Sequence, residues 1–248
     1  MSPATDPDPG VARLVPGSGY VAVPVPTADR PGPWPGVVLV HDAFGLGDDM
    51  REQADWLAAA GYLTVVPDLF EGKRALTCVK GVFAQLSARR GPVFDEIERA
   101  RAALAAAPDC TGTVGCIGYC MGGGFALLLA ARPGWSAASV NYGMVPDDIA
   151  EALAGACPIV ASFGGSDKSL AGAADKLRTG ASTAGVTADV EEYPEAGHGF
   201  INRITAASPL TPLLKVMGVG YDHNAAADAK RRILAFFDVH LGGFSGLS

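Results

Sequence analysis

A cysteine flanked by glycines is the residue of this sequence best suited to do chemistry. Cys120 is the centre of the stretch Gly118-Tyr119-Cys120-Met121-Gly122, which lies between the apolar runs Val114–Ile117 and Phe125–Ala131. The first run predicts a buried strand and the second a buried helix. The stretch between them has the G-x-nucleophile-x-G form of a nucleophile elbow, with Cys in place of Ser.

Steric crowding at a sharp turn explains why this stretch contains glycines. A sharp reversal from strand to helix puts Cys120 in a strained backbone region, and Gly118 and Gly122 remove side chains that would collide there. The thiol then projects over the carboxyl edge of the sheet at a helix N-terminus, where the dipole favours a thiolate. The amide of Met121 is expected to bind a developing oxyanion. Taken alone, the motif fits a buried core cysteine in a glycine-rich junction equally well.

Two further residues follow the ends of predicted strands. Asp167 comes after the strand Pro158–Phe163, and His198 comes after the strand Thr187–Tyr193. Open α/β sheets form their sites at the carboxyl ends of strands. The order Cys, Asp, His is that of α/β-hydrolase triads, in which imidazole takes the nucleophile's proton and the carboxylate orients the imidazole. Taken singly, Asp167 could be a turn residue and His198 a solvated loop residue. The order and strand-end placement of all three residues together favour catalysis.

Three other positions could contribute to the same site. Asp42 directly follows the strand that ends at His41, although an Asp at the start of a loop also serves as a cap. The amide of Ala43, in the same loop, is a candidate second oxyanion donor. Arg203 lies shortly after His198 and is a candidate ligand for a substrate carboxylate, with a solvated surface Arg as the alternative.

The length favours one large α/β domain, with two small domains as the alternative, and the composition indicates a sizeable core. Of the 248 residues, 49% are hydrophobic, only 18% are charged, and the formal net charge is −7. This balance disfavours binding to nucleic acid or to an anionic membrane. No apolar stretch is long enough to span a bilayer, and the N-terminus lacks the features of a secretory signal, so a cytoplasmic location is expected.

The cysteines and the N-terminal residues give further expectations about disulfides, metal sites and domain bounds. The chain has five cysteines, an odd number with scattered spacing, which disfavours both a disulfide framework and a zinc site. Residues 1–10 are rich in Pro and Asp and are expected to be disordered. Residues 11–248 are expected to form a single domain, since the sequence shows no repeat and no linker.

Strands and helices are predicted to alternate along this domain, which indicates a mostly parallel sheet with helices on both faces. A proline-containing edge strand begins at Val21. Buried strands are predicted at Val37–His41, Tyr62–Val66, Val114–Ile117, Ser139–Tyr142, Pro158–Phe163 and Thr187–Tyr193. Helices are predicted from Asp48 or Asp49 to Gly61, at Pro92–Ala107, Phe125–Ala131, Asp147–Leu153 and Leu170–Ala184, and from a cap at Asn224. Residues 70–91 mix basic and apolar side chains, and we expect an irregular loop and a short helix there, near the mouth of the site.

On these motifs, the sequence resembles the dienelactone hydrolases, or carboxymethylenebutenolidases, over nearly the whole chain after about residue 30. The matching stretches are His41-Asp-Ala-Phe-Gly-Leu46, Val66-Pro-Asp-Leu-Phe70, the elbow with Gly123, Asn141-Tyr-Gly143, Gly164-Gly-Ser-Asp167 and Tyr193-Pro-Glu-Ala-Gly-His-Gly-Phe200. The resemblance implies a single α/β-hydrolase domain without metal or organic cofactor. It implies a Cys120, Asp167, His198 triad that opens an enol-lactone through an acyl-cysteine intermediate.

The sequence departs from that family in two places. The family has a Glu after the early strand that holds and activates the thiol, and the matching residue here is the shorter Asp42. The family also binds the substrate carboxylate with two arginines. The position of one is occupied by Asn202, with Arg203 one residue later, and the other falls in the stretch where Arg74, Arg89 or Arg90 could substitute.

The leading hypothesis is therefore a cysteine hydrolase, monomeric or homodimeric, that acts on a small lactone or activated ester. A thioesterase or a general small esterase is the first alternative, because no sequence feature separates these substrates. The second is a non-catalytic α/β-hydrolase scaffold in which Cys120 is a redox-sensitive thiol.

Overall fold

The computed structural model describes residues 19–28, 30–73, 75–203 and 220–242. Seven strands form a sheet in the order β1-β3-β2-β4-β5-β6-β7. Only β1 is antiparallel to its neighbour; every other described pairing is parallel. The strands are β1 (Tyr20–Ala22), β2 (Trp34–Val40), β3 (Leu63–Val66), β4 (Cys110–Tyr119), β5 (Ala137–Asn141), β6 (Ile159–Gly164) and β7 (Ala188–Tyr193).

Helices cover both faces of the sheet, which confirms the α/β fold expected from the sequence. They are α1 (Asp48–Ala59), α2 (Ala75–Ala88), α3 (Pro92–Ala105), α4 (Met121–Leu129), α5 (Ile149–Ala152), α6 (Ala173–Ala184) and α7 (His223–Leu241). Helices α1 and α7 pack on one face, and the remaining five pack on the other. Strand β2 contributes to both faces: Val37 and Leu39 pack on the side of α1 and α7, and Val38 and Val40 pack on the side of the other five helices. Within the described residues, no helix combines the length and apolar character needed to cross a membrane.

The region of residues 70–91 is where the sequence prediction was wrong. Instead of an irregular loop with a short helix, it contains the 14-residue helix α2. The apolar side chains of Val79, Val82, Phe83 and Leu86 recur at helical spacing and pack against the core. Basic residues flank this helix in the sequence, and Lys80 and Gly81 lie within its apolar stretch, which obscured the period.

Helix ends were also misjudged in three places. Helix α1 is preceded by Gly47 without a side-chain cap, and Asp48 and Asp49 lie in its first turn, where they complement the helix dipole. The last helix is capped by Asp222, whose carboxylate accepts hydrogen bonds from the amides of Asn224 and Ala225, so Asn224 is not the cap. The predicted helix at Phe125 begins already at Met121.

Helix α6 also starts later than predicted. A single 3-10 turn at Lys168–Leu170 precedes it, and Gly172, with φ 76°, separates the turn from the helix. The tail at residues 1–10 and the candidate ligand Arg74 lie outside the described residues.

The elbow between β4 and α4 is packed backbone against backbone. A Cβ atom added to Gly118 would lie 2.0 Å from the carbonyl oxygen of Gly122. One added to Gly122 would lie 2.1 Å from the carbonyl oxygen of Val40, at the end of β2. Neither contact can relax by rotating a side chain, so the turn forms only with glycine at both positions.

Replacing Gly118 with Ala should therefore destabilise the fold strongly. We expect the free energy of unfolding, measured with urea, to fall by about 3 kcal/mol or more, the upper end of the cost of overpacking. Gly81 of α2 provides the control, because a Cβ there meets nothing within 4 Å. Gly81→Ala should raise the free energy of unfolding by about 0.5–1 kcal/mol through helix propensity. Equal effects of the two substitutions would contradict this description of the elbow.

Candidate active site

Cys120 occupies the tip of the elbow. It stands between the last residue of β4 and the first residue of α4, with φ 54° and ψ −114°. A positive φ is strained for a side chain of this kind, and the close packing around Gly118 and Gly122 holds it in place. The amide of Cys120 donates to the carbonyl of Asn141 at 3.0 Å, which fixes the elbow to the end of β5. The half-buried thiol lies at the carboxyl edge of the sheet, as the sequence predicts.

The loops after β6 and β7 bring Asp167 and His198 together. Nδ1 of His198 lies 2.6 Å from Oδ2 of Asp167, which is 2% exposed. The amide and hydroxyl of Ser169 donate to the other carboxylate oxygen. Burial raises the pKa of Asp167, but the hydrogen bonds from His198 and Ser169 outweigh it and hold the pKa below its usual range. Asp167 is therefore an anion that orients the ring of His198.

The other side of the His198 ring faces Cys120. Burial lowers the pKa of His198, but hydrogen bonds with Asp167 and with the side chain of Cys120, together with their charges, raise it to about 10. The raised pKa makes the ring of His198 a stronger base than a free imidazole. The three residues of the predicted triad meet in one hydrogen-bonded row, in which the imidazole lies between the carboxylate and the thiol.

Asp42 is a buried carboxyl group beside this row. It is 4% exposed, and its Oδ1 accepts a hydrogen bond from the amide of Phe44 at 2.8 Å. Burial and the nearby charge of Asp49 raise the pKa of Asp42 to about 7, against hydrogen bonds from Phe44 and Asn202 and the charge of His198, which lower it. Asp42 thus changes its charge near neutral pH, close enough to His198 to influence it.

A buried chain of hydrogen bonds connects Asp42 to the interior. Nε2 of Gln53 donates to Oδ1 of Asn202 at 3.2 Å, and the hydroxyl of Tyr119 donates to Oε1 of Gln53 at 3.4 Å. Asn202, which in turn binds Asp42, is 2% exposed. Gln53 was not predicted from the sequence to contribute to the site. A signal existed, because Gln53 is a polar residue on the apolar stripe of α1 beside Met50, Ala54 and Leu57.

The two candidate oxyanion donors lie on adjacent loops. Met121 is the first residue of α4, and an amide at that position has no partner within its helix. Ala43 follows the end of β2, and the contact between Gly122 and Val40 presses the elbow against that end. The amides of Met121 and Ala43 therefore belong to two segments that pack against each other near the elbow.

The family model of the dienelactone hydrolase family matches residues 18–241. The chain belongs to the dienelactone hydrolase family. Carboxymethylenebutenolidase of Pseudomonas putida is 29% identical over 214 residues, which cover 82% of this chain and 85% of that protein. A relative in Methylorubrum extorquens is 28% identical over 188 residues, or 68% of this chain, and the match spans 64% of that relative's length. Membership of the family indicates a carboxylic ester hydrolase.

Solved structures share this fold. A dienelactone hydrolase-like promiscuous phosphotriesterase from metagenomic libraries superposes with a TM-score of 0.73, covering 91% of this chain and 100% of that chain at 22% identity. At this identity the likeness establishes the α/β-hydrolase fold alone. The elbow, the sheet order and the strand-end loops of this dienelactone hydrolase family member are the parts of the fold that position the site.

The candidate substrate-binding arginines Arg203 and Arg89 each have a described partner outside the triad. The exposed guanidinium of Arg203 lies 4.6 Å from the centre of the Tyr221 ring. Arg89 pairs with Asp148. The position expected for a family arginine holds Asn202, which is engaged with Gln53 and Asp42. Within the described residues, no contact joins Arg203 or Arg89 to the triad.

His41 is a buried residue directly after β2 whose ring contacts two loops near the site. Its Nδ1 lies 2.7 Å from the carbonyl oxygen of Asp42, and its Nε2 accepts from the amide of Leu69 at 3.1 Å. These bonds connect the loop that carries Asp42 to the loop after β3. Among the described residues, no group of three or more His, Cys, Asp or Glu could hold a metal ion.

The titration of Asp42 predicts a pH-dependent stability. An Asp of the unfolded chain has a pKa of about 3.9, whereas the folded pKa is about 7. Asp42 therefore contributes stability that is fully present below about pH 4 and is lost as the pH rises through about 7. Asp42→Asn should raise the free energy of unfolding relative to wild type at about pH 8 by roughly a few kcal/mol, with the gain shrinking towards about pH 4.

Urea unfolding of both proteins across this pH range measures the difference. Asp109→Asn, at an exposed position between α3 and β4, is the matched control and should leave the profile unchanged. A gain from Asp42→Asn that stays constant with pH would contradict the raised pKa.

Proposed function

We propose that this protein hydrolyses a small lactone or activated carboxylic ester through an acyl intermediate on Cys120. The observation that carries the proposal is the row of Asp167, His198 and Cys120, in which one ring is bonded to both the carboxylate and the thiol. Membership of a family of ester hydrolases supports the reaction class. The names of the relatives, which include carboxymethylenebutenolidase, support a lactone as substrate.

The first half of the reaction forms the acyl-enzyme. The thiol proton of Cys120 moves to His198, whose raised pKa makes it a base able to accept that proton. The sulfur attacks the carbonyl carbon of the substrate, and the carbonyl oxygen becomes an oxyanion beside the amides of Met121 and Ala43. When the C–O bond breaks, His198 gives its proton to the leaving oxygen. In a lactone the leaving oxygen remains part of the acyl group.

The second half releases the product. A water molecule gives a proton to His198, and its oxygen attacks the carbonyl carbon of the thioester. The C–S bond then breaks to give the carboxylic acid, and the sulfur of Cys120 is restored beside the protonated His198. Asp167 keeps its charge throughout and stabilises the imidazolium. The balance is one ester and one water converted to one acid and one alcohol.

The rim of the site supports a small substrate with apolar parts. Phe44 and Met144 are large apolar residues that are 40% and 50% exposed, on the loops that follow β2 and β5. These loops flank the elbow. The proposed carboxylate-binding roles of Arg203 and Arg74 stay predictions, since Arg203 contacts Tyr221 and Arg74 lies outside the described residues.

Turnover of a matched panel tests the proposal. A lactone, an aryl ester and a thioester, each with small acyl groups, should be compared for wild type, Cys120→Ala and Cys157→Ala. Cys120→Ala should lose at least about a thousandfold in kcat/KM on every substrate that wild type turns over, as expected when a covalent nucleophile is removed. Cys157 is another half-buried thiol, and Cys157→Ala should retain activity.

Rapid quenching and mass spectrometry complete this test. The acyl mass should appear on the peptide that contains Cys120 in wild type and should be absent from Cys120→Ala. Full activity of Cys120→Ala, or an acyl group on another residue, would overturn the mechanism. No turnover of any panel member by wild type would favour a non-catalytic scaffold.

A further inference from the structure

Tyr142 has a buried hydroxyl group that the triad does not explain. The residue is 1% exposed, yet within the described part of the chain its hydroxyl has no hydrogen-bond partner. An unsatisfied buried hydroxyl lowers stability, and native structures keep few of them. Such a group calls for a partner that appears in another state of the site.

The backbone of Tyr142 is strained as well. Its φ is 41°, in the left-handed region that an aromatic residue rarely adopts. The amide of Tyr142 donates to the carbonyl of Ser162 at 2.8 Å, and a Cβ added to Gly143 would lie 2.4 Å from the backbone of Gly123. The segment after β5 is therefore wedged against the start of α4. Strain that the surroundings hold in this way clusters at functional sites.

The side chain of Tyr142 lies inside the candidate active site. Its ring meets the ring of His198 edge to face, with centroids 5.3 Å apart, and packs in the same way on Phe200. Burial raises the pKa of Tyr142 well above its usual value, and nearby charges add to this. The phenol thus stays neutral and is able to donate its proton in a hydrogen bond. The titratable groups that face it are Tyr119, Asp42, Cys120, Asp49 and His198.

The charges of Asp42 and of Cys120 both raise the pKa of the phenol, so both groups are candidate acceptors for its proton. The carboxyl group of Asp42 accepts hydrogen bonds from Phe44 and Asn202. The sulfur of Cys120 has His198 as its hydrogen-bonded partner and can accept another bond when it is charged. Tyr142 also directly follows Asn141, whose carbonyl binds the amide of Cys120.

We propose that the hydroxyl of Tyr142 donates a hydrogen bond to the charged sulfur of Cys120 and is therefore a further catalytic residue. The proposal rests on Cys120 as the nucleophile. Tyr142 neither gains nor loses its proton, since the thiol proton goes to His198. The bond holds the negative charge before attack on the substrate and again when the acyl group leaves. The structure, in which the hydroxyl of Tyr142 is unsatisfied, then corresponds to the state in which the sulfur is uncharged and this bond has not formed.

Tyr142→Phe tests the proposal because it removes only the hydroxyl and keeps the ring. The second-order rate of Cys120 alkylation by iodoacetamide should fall about ten- to a hundredfold at neutral pH, as for the loss of a hydrogen bond to a charged group. Its pH profile should move to higher pH. The melting temperature should stay equal or rise, because an unsatisfied buried hydroxyl is gone.

Tyr62→Phe is the matched control. Its hydroxyl is bonded to Asp238 at 3.1 Å on another part of the molecule. This variant should show the opposite pattern, with a lower melting temperature and an unchanged alkylation rate. The proposal is overturned if Tyr142→Phe alkylates at the wild-type rate, if its rate falls together with its melting temperature, or if both variants lose rate equally. Alkylation reports on the thiol directly, so this result is independent of whether Cys120→Ala retains hydrolysis.

Discussion

Direct packing of backbone on backbone at the elbow is the constraint on which the rest of the site depends. Gly118 approaches Gly122, and Gly122 approaches the end of β2, at distances that leave no room for a methyl group. These contacts hold Cys120 at a positive φ and carry its thiol over the edge of the sheet. They also press the amide of Met121 towards the loop that carries Ala43. Nucleophile and candidate oxyanion donors are thus positioned by the same turn, and strain at one residue is offset by the stability of the whole sheet.

Charge is arranged around this turn in two layers. The inner layer is the row of Asp167, His198 and Cys120, where hydrogen bonds overcome burial and raise the pKa of His198 to about 10. The outer layer is a buried polar chain in which Gln53 and Asn202 hold Asp42, a carboxyl group with a pKa of about 7. Asn202 occupies the position where the family resemblance leads one to expect an arginine. A neutral amide therefore stands beside Asp42 where a positive charge would lower its pKa, and Asp42 titrates near neutral pH.

The sequence was most informative where a motif and a strand end coincide. Cys120 and Asp167 could be placed because each follows an apolar run, and His198 because it follows an alternating strand; the parallel sheet brings such ends together. The extent of helix α2 was missed because Lys80 and Gly81 fall within its apolar stretch and basic residues flank it, although Val82 and Leu86 are buried. Gln53 could have been found as a polar residue on an apolar stripe. The positive φ of Tyr142 could not, because it arises from the contact of Gly143 with α4, which no local pattern records.

A crystal structure of the acyl-enzyme tests the central claim most directly. Crystals soaked briefly with a slowly hydrolysed aryl ester and then cooled should show the acyl group bonded to the sulfur of Cys120. Its carbonyl oxygen should lie about 2.7–3.1 Å from the amide nitrogens of both Met121 and Ala43. His198 should remain hydrogen-bonded to Asp167, and its ring should lie on the side of the acyl group from which water attacks. An acyl group on another residue, or a carbonyl oxygen turned away from both amides, would contradict the account.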